Sequence, residues 1–412
     1  MDYSTSQMRN REYVYQFVFS KNKSVGTLAS LDAGFVVFCL GMILLVSSQI
    51  FYTSTLVSTG FAPILRIGTF AGLAICIFSE ILSMRVTIGS LMMFAIFMGV
   101  AVIAYSLEGS SLVYMLVAAF VSRHYRFKDL LRVALITVVV SCLLVVLMAS
   151  IGMIETVAST TEGSRSRTSL GFGWVTYLSH YYLELVIGYS LLRGTKLTIK
   201  EIIALICVDI AIYLITDARN SFILVILFLI AVLIYKRTHF RLESSKMLKI
   251  MLSASFIIAL IISAALYLGT NPASSLGHML DQLLSSRITQ TQNALSLYGL
   301  SPFGTEVTWV TLGNITTGQF TWQDYLYVDC SYFNILINYG WILGVVMLSA
   351  LTIVAYKVVS NSNMLIGTAL AIFAVHGIVD PQLLDLHYCI FLLLLGNVFD
   401  TKEKWKTRLD GF

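Results

Sequence analysis

Apolar runs about as long as a membrane is thick follow one another along this chain, separated by short segments that hold nearly all of its charged residues. Runs of that length, rich in Leu, Ile, Val and Phe and without the two-residue alternation of a barrel strand, predict helices that cross a bilayer. They fall near 33–52, 61–81, 87–106, 111–122, 130–152, 172–192, 199–216, 221–235, 250–269, 340–357, 364–380 and 383–399. The predicted fold class is all-α: a polytopic integral membrane protein of about twelve transmembrane helices. The pattern divides the chain into a tail over 1–31, nine helices over 32–269, a large loop over 270–339, three helices over 340–399 and a second tail over 400–412. Composition agrees, with 57% hydrophobic residues, 12% charged residues and only four prolines, and a mean hydropathy of +0.83. Such a chain needs lipid as its solvent.

Charge sets the expected orientation. With twelve spans and the N-terminus inside, all but five of the 27 Lys and Arg fall in alternate, inward-facing segments, as the positive-inside tendency requires. Omitting the short fourth segment would break this alternation for every later loop. Both termini are therefore expected in the cytoplasm, and residues 1–30, which lack an apolar core and a small-residue cleavage site, read as a cytoplasmic tail. The net charge of +5 reports topology, and no nucleic-acid partner follows from it. Six scattered cysteines without a CxxC pair imply neither a disulfide framework nor a zinc site.

The five exceptions are all arginine: Arg66 near the outer end of the second span, and Arg165, Arg167, Arg219 and Arg287 outside. A guanidinium can grip phosphate through two parallel hydrogen bonds and keeps its charge when partly desolvated. This set points to an anionic ligand on the outer side, against the plainer reading of solvated or snorkelling surface charges. The long segment 270–339 exceeds an ordinary connection. Within it, Ser275–Tyr298 carries Leu276, Met279, Leu280, Leu283, Leu284, Ile288 and Leu295 on one face at about 100° per residue, the pattern of an amphipathic helix lying in the interface. Arg287 falls in that apolar stripe. Asp329, Asp217, His278, Glu162 and Asp324 are the outer candidates for a base, while Glu184 and Asp209, at membrane depth, should face the bundle interior. Trp174, Tyr177, Tyr181, Tyr182, Trp309, Phe320, Trp322, Tyr325 and Tyr327 could stack on sugars or form an interfacial belt.

Four stretches carry a resemblance: Arg167-Thr168-Ser169-Leu170-Gly171-Phe172-Gly173; Thr216-Asp217-Ala218-Arg219-Asn220-Ser221; Leu284-Ser285-Ser286-Arg287-Ile288 with Tyr298-Gly299-Leu300-Ser301-Pro302-Phe303-Gly304; and Val328-Asp329-Cys330-Ser331-Tyr332 leading to Tyr339-Gly340. In order and spacing they resemble Wzy-type polysaccharide polymerases of the O-antigen polymerase and ligase superfamily, over roughly 165–340. The chain departs from the pattern where Trp174-Val175-Thr176 replaces a His-Pro-Asn run, leaving His180 as the nearest histidine, and where Cys330 follows Asp329 in place of Asn.

The resemblance implies a membrane glycosyltransferase that polymerises polyprenyl-diphosphate-linked oligosaccharide repeat units into capsular, exopolysaccharide or O-antigen chains, outside a bacterial cytoplasmic membrane. A chain-length regulator and a flippase would be its partners. Arg165, Arg167, Arg219 and Arg287 would bind the diphosphate, and Asp329, which keeps the motif, or His278 would be the base. No cofactor is implied, and no DxD pair for a metal occurs in the chain. Two alternatives stay open: a ligase of the same superfamily, and a lipid-linked oligosaccharide flippase, which should show internal repeats.

Overall fold

The structure is a computed structural model that describes residues 33–83, 91–92, 94–100, 102, 111–161, 165–311, 321 and 324–412. The expected tail 1–31 and half of the expected span 87–106 lie outside the described residues. Helices occupy the apolar runs in order: α1 (Ala33–Tyr52), α2 (Ala62–Ser83), α3 (Ser111–Ser122), α4 (Phe127–Ser150), α5 (Tyr177–Arg193), α6 (Ile199–Thr216), α7 (Arg219–Ser244), α8 (Lys246–Ser253) and α9 (Ser255–Gly269). After the long loop come α12 (Ser331–Asn338), α13 (Gly340–Ser360) and α14 (Met364–His376). Among the described residues, five helices are long and apolar enough to cross a membrane, and a sixth span is formed if α8 and α9, bent by 65°, count as one. Their outward faces stay apolar. On α4, Ile136, Leu143 and Leu147 are exposed, which suits a lipid surface and would be costly in water. The only strands among the described residues, β1 (Ala158–Thr161) and β2 (Arg165–Thr168), pair antiparallel with Arg167 opposite Ser159.

The final apolar run departs from expectation. In place of a spanning helix over 383–399, the chain forms turns and then a 3₁₀ helix, Ile390–Asn397, whose residues are all buried. Its Gly396 lies against the Ala119 carbonyl of α3. An all-apolar run signals burial without saying whether lipid or protein surrounds it, and non-α-helical backbone survives at membrane depth only where protein encloses it. The Glu184 carboxylate accepts the Ile390 N–H at 2.7 Å, satisfying one donor that the 3₁₀ start leaves open. Arg66, in the first turns of α2, donates to the Tyr52 hydroxyl.

The segment Ser275–Tyr298 is broken into two helices, α10 (Ser275–Leu283) and α11 (Arg287–Tyr298). Ser285 and Ser286 take left-handed conformations, with φ of 57° and 63°. Buried Asp281 stabilises the break: its carboxylate accepts the N–H groups of Ile288 and Thr289 at 2.9 and 3.1 Å and the Thr289 hydroxyl at 2.5 Å. It caps α11 from the preceding helix, as an N-cap side chain does. Arg287 is thereby released from the apolar stripe of α10.

Two of the sequence stretches meet where the loop returns to the bundle. Trp341 N–H donates to the Ser301 carbonyl and Ile342 N–H to the Pro302 carbonyl. Gly304 and Gly340 both have positive φ, 91° and 83°, and a Cβ on either would strike backbone of the other segment at 2.2–2.3 Å. Glycine is required at both positions for conformation and for space. Gly340→Ala is therefore expected to destabilise the chain by about 1–3 kcal/mol or more, read as a lower unfolding temperature in detergent, with Gly269→Ala, which meets nothing within 4 Å, as the neutral comparison.

Candidate functional site

Six buried or half-buried polar side chains from five segments converge at one end of the bundle. His180 lies in the first turn of α5, Asn220 in the first turn of α7 and Arg287 opens α11. Asp329 directly precedes α12, and His376 and Asp380 close α14. Asp380 is the hub. Its Oδ1 lies 3.3 Å from His180 Nε2, and its Oδ2 lies 3.4 Å from His376 Nε2 and 2.5 Å from Asn220 Nδ2. Arg287 Nε donates to Asp329 Oδ2 at 2.6 Å, and its Nη2 lies 3.9 Å from Asp380 Oδ1. The two imidazoles meet edge to face, 4.7 Å apart.

The Asp329-Cys330-Ser331-Tyr332 stretch holds this arrangement through backbone and hydroxyl bonds. Ser331 N–H donates to the Gly377 carbonyl at 2.9 Å, its hydroxyl donates to the Asp380 carbonyl, and the Tyr332 hydroxyl donates to the Ala374 carbonyl at 2.8 Å. From α9, the Tyr267 hydroxyl donates to the Ile378 carbonyl at 2.9 Å. The loop carrying Asp329 and the turn carrying Asp380 are one hydrogen-bonded unit.

Two carboxylates face one guanidinium. Burial opposes the charge on Arg287, but the neighbouring Asp329 and Asp380 more than offset this and hold it charged, above the ordinary arginine value. Burial pushes the Asp329 carboxyl up from its ordinary value, and Arg287 opposes that shift while Asp380 adds to it. The Nε2 of His180 faces Asp380, while its Nδ1 is buried and has no hydrogen-bond partner among the described residues. A carboxylate that holds one ring nitrogen in place leaves the other as a proton acceptor. The same three side chains could hold a divalent cation: ligand atoms from His180, His376 and Asp380 lie within 4.8 Å of one another.

Of the residues singled out in sequence, Arg287 and Asp329 are brought together as a direct ion pair. Arg167 Nε donates to the Thr216 carbonyl at 2.9 Å, and the Thr216 hydroxyl bonds Ser179, the neighbour of His180. Arg219 is half exposed and lies 3.6 Å from Asp217, the left-handed residue ending α6. His278 is not brought to the cluster; it is exposed and bonds Gln282 on its own helix. Asp324 bonds Thr321 locally. The side chain of Arg165 and the whole of Glu162, Phe320 and Trp322 lie outside the described residues. Tyr181, a candidate for sugar stacking, is fully buried and stacks on Tyr388 at 4.5 Å.

His180, His376 and Asp380 were not assigned from sequence. The available signal was an ionisable pair at i, i+4 closing a predicted span, because such groups at membrane depth face the protein and mark sites. No protein-family profile, characterised protein or solved structure matches the chain.

Asp281 aims Arg287 without touching it through its side chain. Asp281→Ala is expected to cost about 1–2 kcal/mol of stability through the lost cap, while Asp281→Asn, which keeps one acceptor oxygen, costs less. Thermal unfolding of the two variants in one detergent gives the comparison.

Proposed function

We propose that this chain is a membrane glycosyltransferase that joins lipid-diphosphate-linked oligosaccharide units on the outer face of a bacterial cytoplasmic membrane, with twelve crossings and both termini inside. One observation carries the reading: the Arg287–Asp329 ion pair, which links two of the stretches resembling Wzy-type polymerases, sits against a buried His–Asp pair.

In the reaction, the hydroxyl of the incoming sugar attacks the anomeric carbon of the lipid-linked glycan. The bond from that carbon to the diphosphate oxygen breaks, and the diphosphate leaves with the electron pair. His180 Nδ1 takes the hydroxyl proton, with Asp380 holding the ring and favouring the imidazolium that forms. Arg287 uses its Nε–H on Asp329, and its remaining N–H groups are directed to the departing diphosphate. Arg167 and Arg219, on segments flanking His180 and Asn220, add positive charge along the path of the lipid carrier. Asp329 holds Arg287 and is the second candidate for the base.

In cells carrying Arg287→Ala at wild-type membrane levels, long polymer should give way to single lipid-linked units outside the membrane, resolved by gel and mass spectrometry. Units trapped inside would indicate a flippase, and unchanged polymer would remove Arg287 from the site. His180→Gln should slow transfer by roughly 10²–10⁴-fold, whereas His278→Gln should leave it near wild type. A metal-independent reaction should survive a chelator. Loss of activity on chelation, restored by zinc, would instead assign His180, His376 and Asp380 to a bound cation.

A further inference from the structure

The far end of the same bundle carries a second polar centre of opposite character. His180 and Arg193 lie at opposite ends of α5, roughly 20 Å apart at the α-helical rise, and Asn220 and Lys236 are roughly 24 Å apart along α7. Around Arg193 and Lys236 lies a cavity of about 640 Å³ lined also by Lys128 and Arg132 from the start of α4 and by Lys196 from the turn after α5. Its lining holds five basic side chains and no Asp or Glu among the described residues.

Two of these charges are answered locally: Arg132 pairs with Asp129 at 2.9 Å and Arg193 with Glu201 at 2.8 Å. The ammonium groups of Lys128 and Lys236 donate to backbone carbonyls, of Gly411 and Leu197, which position them at the cavity. Each ammonium has three donors and uses one in these bonds. A general excess of basic residues on one side of a membrane protein does not require chain segments so far apart in sequence to direct their cations into one cavity. Like charges gathered at a protein wall repel unless an anion joins them. The rest of the wall sets Thr195, Ser362 and Asn363 beside apolar Leu192, Leu365 and Phe412, so the fitting ligand has a phosphate among the cations and polar groups and hydrocarbon on the apolar part.

We propose that this cavity binds the phosphate of an anionic phospholipid, with the headgroup between Lys128, Lys196 and Lys236 and acyl chain against Leu192, Leu365 and Phe412. The shared chemistry is a phosphate anion, and the apolar part of the wall favours lipid over phosphate from water. The assignment is independent of glycosyl transfer at the other end of the bundle.

Native mass spectrometry of the full chain from phosphatidylcholine nanodiscs, titrated with cardiolipin, tests it. Wild-type protein should retain cardiolipin in a salt-sensitive manner, and Lys128→Glu with Lys236→Glu should weaken retention by about tenfold or more. Lys404→Glu, an exposed charge on the C-terminal helix, should have no effect. Equal retention by the double variant, or equal loss in Lys404→Glu, overturns the site. Where charge reversal prevents membrane insertion, Lys128→Gln with Lys236→Gln makes the same comparison. Inorganic phosphate is titrated without anionic lipid: protection against thermal unfolding equal to that by cardiolipin, and lost in the double variant, would overturn the lipid assignment in favour of a water-borne phosphate.

Discussion

A carboxylate removed from water has to be answered by donors, and Asp380 is answered by several at once. An amide from α7, an imidazole nitrogen from α5 and, at longer range, the guanidinium of α11 face its two oxygens, with the His376 ring of α14 alongside. An unpaired buried charge costs several kcal/mol, and the loss of one partner exposes that cost. The four helices that supply these groups are thereby held in one mutual arrangement, and the site is the place where their ends meet.

Arg287 shows how local strain serves this arrangement. Left to its hydrophobic period, the segment from Ser275 to Tyr298 would continue as one helix with Arg287 on the apolar side. Two left-handed serines interrupt it, at a cost that Asp281 offsets with three hydrogen bonds. The guanidinium then reaches Asp329, which is carried by a loop stitched to the turn of Asp380 through Ser331. Charge, capping and backbone strain act on the same few residues.

The two polar centres divide the bundle into unlike ends. At one end positive charge is matched by carboxylates inside the protein, so a ligand must exchange with existing pairs. At the other, cations are held by carbonyls around an open cavity whose wall is partly apolar. The helices α5, α7 and α14 reach both, and an α-helix of this length is rigid enough to keep the ends at fixed separation.

Apolar runs and their charge flanks marked most of the helices among the described residues, because the cost of placing polar groups in lipid is written into the runs that leave water. Arg287 and Asp329 also stood out in the sequence, from a charge set in an apolar stripe and from the stretch around each. Their pairing was not, since it depends on a helix break that hydrophobic periodicity does not report. His180, His376 and Asp380 lie about 200 residues apart at the extremes, and only packing brings them within hydrogen-bonding range. The final apolar run could not reveal from composition whether lipid or protein would enclose it. Sequence alone determined which segments leave water and which charges resist leaving; tertiary structure decided which of those charges meet, because buried charge is stabilised by partners drawn from anywhere in the chain.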